Sequence, residues 1–281
     1  MSPYPYAVRE DGGELAGFAP LVTEGDRAFF MGSEDVCDFM DFVLSPGSED
    51  AFFDLFWEDL KGKGVRLLVL GAVRPDSAVT RHVAESAETM GFHVSWEDAG
   101  TTLEMSLPGS WDEYLDMLSG KQRHELRRKL RRLEEAGEVG YRVIGNIEED
   151  PSALDLFFLL FRKSRKAKEE FMSPERETFF GTLALKTSRA GLLRMGILEL
   201  GGNPVAAVMC FDHGGVTYLY NSGFDPEYAS LSVGLVSKIL CIKDSIEKGR
   251  RKFDFLKGPE VYKYRLGGVE VPLKRCKITL R

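Results

Sequence analysis

The carboxy-terminal half of the sequence contains a glycine-turned hairpin followed by a long helix, and this order constrains the fold more than any other feature. Apolar residues 192–200 and 204–212 flank Gly201-Gly202-Asn203, a turn typical of β-hairpins. The following segments read as a strand, a helix and two more strands, at residues 216–221, 230–248, 253–256 and 272–280. This half is therefore expected to contain strands and helices in one layered unit.

The amino-terminal half repeats that order more faintly. Its segments read as a hairpin, a helix, a strand, a helix and a strand, at residues 6–30, 51–61, 65–70, 77–90 and 101–107. Four helices are then expected before the second hairpin, two of them between residues 110 and 136 and the others at 154–166 and 174–188. We predict an α/β (α+β) fold with two domains, residues 1–150 and 151–281.

Composition narrows the class of protein. Of 281 residues, 43% are hydrophobic and 29% charged, which is typical of a folded globular protein. The longest notable apolar run, residues 156–161, is far shorter than the roughly 20 residues that cross a bilayer. No secretory signal is visible, so we predict a cytoplasmic protein without a membrane span. The four cysteines form no C-x-x-C pair and the four histidines no H-E-x-x-H motif, so no metal is predicted.

Charge is unevenly distributed along the chain. The net charge is -7, yet residues 1–60 hold fourteen Asp or Glu against Arg9 and Arg27 alone. Those sixty residues therefore carry -12, and the remainder of the chain about +5. This asymmetry predicts a surface that faces an anion.

The densest cluster of positive charge lies in residues 121–132, where seven of twelve residues are Lys or Arg. Ser119 and Gln122 form an S-x-x-Q helix start, so these cations lie on a helix. Lys121, Arg123 and Arg127 are candidates for binding the phosphates of a substrate. The alternative is a solvated helix face that pairs with the acidic region. Since no aromatic residues are interleaved, DNA is not an expected partner.

A second candidate site lies where a strand leads into the long helix. Ser230, Ser232, Val233 and Gly234 lie at the expected helix start, where free N–H groups and the helix dipole bind anions. The preceding strand contributes Tyr220 and Asn221. Many ordinary helices begin with Ser and Gly, which is the plainer interpretation of this segment.

A third candidate is the polar segment at residues 254–263, where a strand ends. Glu260 is suited to accept a proton from an amine, and Tyr262 to donate one to a leaving group. Lys257 or Lys263 is suited to hold an anion. Taken by itself, this segment is better explained as an ordinary polar loop.

Taken together, the basic run, the Tyr218-Leu219-Tyr220-Asn221 strand and the G-x-E-x-Y-K motif at residues 258–263 resemble the CelD-like acyltransferases of the GNAT superfamily, which are related to the Fem peptidyltransferases. The resemblance covers about residues 13–267. It implies two GNAT-like units, each a mixed and mostly antiparallel sheet flanked by helices. The donor, usually an acyl-CoA and in Fem-like members an aminoacyl-tRNA, would bind the carboxy-terminal unit.

The sequence departs from the GNAT pattern in two places. The usual pyrophosphate loop, R/Q-x-x-G-x-G/A, is absent, and residues 230–234 stand in its place. The amino-terminal unit lacks the leading helices that family members tend to have. We expect this unit to be incomplete and to serve as a scaffold and a wall on the acceptor side.

The resemblance implies direct acyl transfer from acetyl-CoA or a longer acyl-CoA to a small-molecule or cell-envelope amine, with roles in envelope or polysaccharide metabolism. The assigned catalytic residues are Glu260, Tyr262 and Lys263, and the donor carbonyl would lie near Tyr220 and Asn221. The candidate cations at residues 121, 123 and 127 would line a cleft between the units. The alternatives are a non-catalytic GNAT-fold binding protein and a Fem-like tRNA-dependent transferase, although no coiled-coil arm is apparent.

Overall fold

The computed structural model of the protein describes residues 1–10 and 12–280. Its strands are β1 (Ser2–Arg9), β2 (Leu15–Glu24), β3 (Arg27–Phe30), β4 (Val43–Leu44), β5 (Leu67–Val73), β6 (His93–Ser106), β7 (Val139–Ile144), β8 (Leu193–Leu200), β9 (Asn203–His213), β10 (Val216–Phe224), β11 (Lys252–Lys257) and β12 (Val269–Thr279). Its helices are α1 (Glu49–Gly62), α2 (Ala84–Thr89), α3 (Trp111–Met117), α4 (Gly120–Ala136), α5 (Ser152–Ser164), α6 (Lys166–Phe171), α7 (Pro174–Arg189), α8 (Val233–Glu247) and α9 (Val261–Arg265). A π-helical turn (Val79–Val83) precedes α2, and a 3₁₀ turn (Pro226–Leu231) precedes α8.

The chain divides into two compact units, one of Met1–Thr102 with Glu270–Arg281 and one of Leu103–Val269. This division differs from the boundary that we expected after residue 150. Helices α3 and α4 and strand β7, which the sequence argument counted with the first half, belong to the second unit. The final strand, β12, pairs with β5 and so belongs to the first unit.

The first unit is built on an aromatic core. Strands β1, β2 and β3 are antiparallel, and α1 leads to β5, which runs parallel to β3. Apolar residues recur on one face of α1, which is why this segment folds as an amphipathic helix, and Phe52, Phe53, Phe56 and Trp57 are almost completely buried. Their rings pack mostly edge to face, as in the 5.2 Å Phe52–Phe53 pair. The Trp57 indole N–H is satisfied by a hydrogen bond of 2.8 Å to the Ser86 hydroxyl.

The second unit repeats the order of the first. Strands β7, β8, β9 and β10 are antiparallel, and α8 leads from β10 to β11, which runs parallel to β10. The predicted helix start at Ser119 is confirmed, since its hydroxyl accepts from the backbone N–H group of Gln122. The Ser110 hydroxyl accepts from the backbone N–H group of Glu113 in the same way. The repeated order confirms the predicted mixed α/β fold, with two units of GNAT-like layout.

Helices cover both faces of the second sheet around the end of β10. A Cβ added to Gly223 would lie 2.3 Å from the Phe161 backbone nitrogen, so α5 packs its backbone directly on that residue. A Cβ added to Gly234, in α8, would lie 2.8 Å from the Phe224 ring. Because successive strand residues point to opposite faces, α5 and α8 lie on opposite sides of β10. The end of β10 is therefore enclosed between two helices.

Across residues 1–10 and 12–280, no helix has both the length and the apolarity needed to cross a membrane. In the same part of the chain, no three His, Cys, Asp or Glu side chains are grouped so that they could hold a metal ion.

Candidate active site

The central feature of the second unit is a separation of its two parallel strands. Val216, Thr217 and Tyr218 of β10 pair with residues 252–254 of β11, and the pairing ends there although both strands continue. A β-bulge in β10 follows at once, between Leu219 and Asn221. We call the region between residues 219–224 and 255–257 the strand gap. Backbone groups along its edges are available to partners other than a neighbouring strand.

Two lysines approach the strand gap from opposite faces of the sheet. On the α5 side, the Lys168 ammonium donates to the Ser222 carbonyl and lies 4.5 Å from the centroid of the Phe161 ring. On the α8 side, the Lys238 ammonium donates to the Gly234 carbonyl at 2.7 Å and lies 5.2 Å from the centroid of the Tyr262 ring. A lysine thus lies near the end of β10 on each face of the sheet.

Burial lowers the pKa of both lysines. Burial lowers the pKa of Lys238 to about 7, and the nearby positive charge of Lys168 lowers it further. The pKa of Lys168 is lowered to about 8, first by burial and then by Arg165, while the negative charge of Glu260 acts in the opposite direction. At neutral pH both amines therefore exchange protons readily, a property that clusters at functional sites.

Lys263 holds together the loop that follows β11. Its ammonium is buried and donates to the backbone carbonyls of Leu256, Lys257 and Gly258 at 2.8, 2.8 and 3.1 Å. It also lies 2.8 Å from a carboxylate oxygen of Glu260. Leu256 has a φ of 61°, a left-handed conformation that is costly for leucine. The four contacts of Lys263 compensate for this strain and fix the loop.

Glu260 and Tyr262 stand at the end of this loop. Glu260 immediately precedes α9, and its side chain is about half exposed while one oxygen contacts Lys263. The Tyr262 side chain is half-buried, and burial followed by the charge of Glu260 raises the pKa of its hydroxyl well above the ordinary range. Tyr262 therefore keeps its proton at neutral pH.

The predicted donor-binding segment forms a sharp bend before α8. Ser232 has a φ of 59°, and its carbonyl accepts from the amides of Leu235 and Val236. The earlier amides of Val233 and Gly234 fall outside the hydrogen-bonding pattern of the helix, as at any helix start. The Lys129 ammonium of α4 donates to the Ser232 hydroxyl at 2.8 Å. A cation and a helix start thus meet at Ser232, while Ser230 is exposed nearby.

The basic helix α4 carries both engaged and open cations. Arg123 pairs with Asp116 at 2.5 Å, so this candidate is already neutralised. The Glu125 carboxylate is held by Arg128 and Lys129, which lower its pKa to about 2. Lys121 and Arg127 are exposed and pair with no carboxylate within residues 1–10 and 12–280. Lys121 and Arg127 thus retain the free charge expected of anion-binding groups.

The side chains of Tyr220 and Asn221 lie in different surroundings. The Tyr220 ring packs against Phe180 and Phe211, at centroid distances of 5.6 and 5.1 Å. Asn221 follows the bulge, and its side-chain oxygen accepts from the Ser222 backbone N–H at 3.2 Å. Tyr220 therefore helps to form an aromatic wall, whereas Asn221 lies on the edge of the strand gap.

Sequence reasoning missed Lys129, Arg165, Lys168 and Lys238. A signal for Lys238 is present, because it is the only charged residue among the mostly apolar residues 235–242 in the middle of a helix. For Arg165 and Lys168 no such signal exists, since Lys and Arg recur throughout residues 162–168.

A mixed sheet whose parallel strands separate beside a helix start matches the GNAT-like layout that the sequence predicts. The protein-family comparison agrees with that class. A model described as an acetyltransferase (GNAT) domain matches residues 120–264, and the chain belongs to this family. The match contains every candidate site residue given above.

Solved structures show the same fold over nearly the whole chain. A crystal structure of FemX aligns with a TM-score of 0.66 and 13% identity, covering 98% of this chain and 88% of that one. The structure of L-PGS from Bacillus licheniformis gives 0.63 and 12%, with coverage of 97% and 83%. The C-terminal domain of a protein described as a lysylphosphatidylglycerol synthetase, from Agrobacterium fabrum, gives 0.65 and 11%, with coverage of 97% and 83%. No curated protein matches the sequence.

Proposed function

We propose that the second unit transfers an acyl group from acyl-CoA to an amine, and that the reaction takes place at the strand gap. The observation that carries the proposal is the separation of β10 and β11 beside both the start of α8 and Tyr262. A donor in this gap would meet backbone groups of β10 and β11 that do not pair with each other. Its phosphates would lie near Lys129 and the amides of Val233 and Gly234.

The proposed reaction is a direct displacement. The amine nitrogen attacks the thioester carbonyl, a C–N bond forms, and the C–S bond breaks as the thiolate leaves. Glu260 accepts the proton that the amine loses, because one of its oxygens contacts Lys263 and the other remains open. Tyr262 gives its proton to the departing sulfur. In this scheme Lys263 positions the loop and Glu260, a change from the catalytic role first assigned to it.

A second donor, an aminoacyl ester of tRNA, is favoured by one observation. Lys121 and Arg127 are exposed on α4 without a carboxylate partner among the described residues, which suits an extended polyanion. Amine attack on such an ester would release a tRNA hydroxyl rather than a thiol. The two donors are therefore distinguished by their leaving groups.

Turnover tests the proposal directly. Purified protein is incubated with acetyl-CoA or a long-chain acyl-CoA and a panel of amines, and thiol release is measured together with amide formation by mass spectrometry. Glu260→Gln and Tyr262→Phe should each lower kcat about 10²-fold or more with little change in stability. Glu247→Gln, an exposed glutamate on α8, serves as the matched control. Transfer from aminoacyl-tRNA alone would favour the second donor, and no transfer from either would refute the proposal.

Donor binding is tested separately by calorimetric titration with CoA. Lys129→Gln removes the cation at Ser232, so the affinity for CoA should fall about 5- to 10-fold, the value of one charge-assisted hydrogen bond. The control is Lys243→Gln, which removes a partly exposed lysine whose ammonium lies 3.9 Å from the Glu247 carboxylate. This variant should bind CoA as tightly as the wild type does. If the wild type and both variants bind CoA with equal affinity, the donor phosphates do not bind at Lys129.

A further inference from the structure

The segment that leads to the proposed donor amides has little apolar packing of its own. Residues 226–231 form the 3₁₀ turn before α8, and none of these six is buried. Within the turn, Tyr228 and Leu231 are half-buried and pack against the neighbouring core. The turn ends at Ser232, whose φ of 59° costs energy for a residue other than glycine. Contacts other than apolar burial must therefore hold this segment in place.

Asp225, the residue before this turn, is fixed by four hydrogen bonds. Its backbone N–H donates to the Val205 carbonyl at 2.8 Å, and its own carbonyl accepts from the Tyr228 N–H at 3.1 Å. One carboxylate oxygen accepts from the Glu227 N–H at 3.0 Å. The other accepts from the Lys163 ammonium at 2.7 Å. Asp225 therefore connects the end of β10, the turn and helix α5 through a side chain that is only 13% exposed.

Lys163 is the group that ties this carboxylate to α5. It lies two residues after Phe161, whose backbone packs directly against Gly223 near the end of β10. Its ammonium also lies 3.2 Å from a carboxylate oxygen of Glu227. Burial acts to raise the pKa of Asp225, but the hydrogen bonds from Lys163 and the Glu227 N–H lower it below the ordinary value. The carboxylate is therefore ionised at neutral pH, and an ion pair holds the turn to α5.

A separate cation holds each end of this segment. Lys163 holds Asp225 at its start, and Lys129 holds Ser232 at its end. We propose that Lys163 and Asp225 are positioning residues for donor binding, which fix the start of the turn so that the backbone amides of residues 233–234 face the donor phosphates. The proposal rests on the transfer function proposed above, with acyl-CoA as the donor. Neither residue needs to touch the donor itself.

Two variants separate positioning from a simple effect of charge. Lys163→Gln leaves an extra negative charge near the donor phosphates, whereas Asp225→Asn removes one. If charge alone mattered, the KM for acetyl-CoA would rise in the first variant and fall in the second. If position matters, both variants release the turn, and KM should rise about fivefold in each, with kcat changed less than about twofold. Lys163→Arg, which keeps both charge and donors, should have a KM close to that of the wild type.

A donor without phosphates supplies a readout that a general folding defect would not give. S-acetylpantetheine carries the same thioester but no phosphate, so its KM should be equal in the wild type, Lys163→Gln and Asp225→Asn. The matched control is Arg162→Gln, which breaks an ion pair between the neighbouring residue of α5 and Glu177 of α7. This control should leave the KM for acetyl-CoA unchanged. Hydrogen exchange at residues 226–232 should be faster in the two test variants than in the control.

Three outcomes would overturn the inference. These are a wild-type KM for acetyl-CoA in both test variants, KM shifts of opposite sign, and an equal rise of KM for acetyl-CoA and S-acetylpantetheine. In each of these cases the wild type still transfers the acyl group, so the proposed function stands without the positioning pair. Failure of the proposed function gives a different result, because the wild type would then transfer no acyl group from either donor.

Discussion

The two units follow the same order of strands and helices but fill their interiors differently. The first unit packs aromatic rings around α1, and its buried polar groups within the described residues are Ser48, Ser77 and Thr102. The second unit buries five charged side chains, which are Arg194, Asp225, Lys238, Asp254 and Lys263. Burying charge costs stability, whereas burying aromatic rings provides it. The second unit therefore gives up stability to bury charge, and two of these charged side chains, Lys238 and Lys263, belong to the candidate site.

The buried charges of the second unit are themselves of two kinds. Arg194 contacts the carboxylates of Asp212 and Asp244, and Lys263 has four acceptors, so both act as structural ties. Lys238 has a single carbonyl partner and lies over the Tyr262 ring. Substitutions in each class should therefore change stability in different ways.

The largest effect is expected in the aromatic core. Phe56→Ala removes a fully buried ring that contacts Phe42 and Phe52, and should lower the free energy of unfolding by about 3–5 kcal/mol. Because the position is apolar, the loss should be the same at pH 6 and pH 9. Denaturant unfolding measures it, with the neighbouring and exposed Leu55→Ala as control. A loss no larger than that of Leu55→Ala would remove the contrast between the units.

A smaller loss is expected for Lys263→Met. Three loop carbonyls and one oxygen of Glu260 would lose their donor, which should lower the free energy of unfolding by about 2–4 kcal/mol. Hydrogen exchange should also speed up at residues 256–260. Arg265→Met, an exposed position on the same helix, is the control. If both variants exchange alike, Lys263 does not hold the loop.

The smallest effect should have the opposite sign. Below about pH 7, Lys238 is protonated in both the folded and the unfolded protein, and the full penalty for burying its charge is present. Between about pH 7 and pH 10.5, only the unfolded chain keeps the proton. The free energy of unfolding of the wild type therefore increases as the pH rises through this range. Lys238→Met lacks this penalty. The free energy of unfolding of this variant should exceed that of the wild type by about 1–3 kcal/mol at pH 6, and the difference should shrink towards pH 10.

The control for that experiment is Lys243→Met, a partly exposed position on the same helix, which should change stability by less than about 0.5 kcal/mol. A pH-independent difference between Lys238→Met and the wild type would mean that Lys238 is not a strained cation. Lys238 would then resemble Lys263, whose contacts stabilise the fold.

Much of the fold follows from local sequence signals. The Gly201-Gly202-Asn203 turn, the long helix that became α8 and the capping serines of α3 and α4 were all recognisable, because each depends on neighbouring residues. Strand β7 was missed, since its six residues are all only half-buried and show no alternation. The membership of β12 was missed because pairing across more than two hundred residues leaves no local trace.

The candidate site was less accessible to sequence reasoning. Glu260 and Tyr262 follow a motif and remain a prediction awaiting kinetics. The sequence could not indicate which partner each side chain contacts. Arg123 is neutralised by Asp116, and Lys129 is the cation that reaches Ser232. Such pairings depend on tertiary packing, and identical residue types on one helix differ only in what lies opposite them.

The pairing of β12 with β5 has a consequence for synthesis. The second unit occupies residues 103–269, so all of its chain leaves the ribosome before the first unit receives its last strand. Residues 67–73 must therefore wait for residues near 274–279, with one edge of β5 unpaired throughout. The part of the chain made first is the part finished last. Premature termination near residue 268 would spare every residue of the candidate site and still leave a nascent sheet open to aggregation.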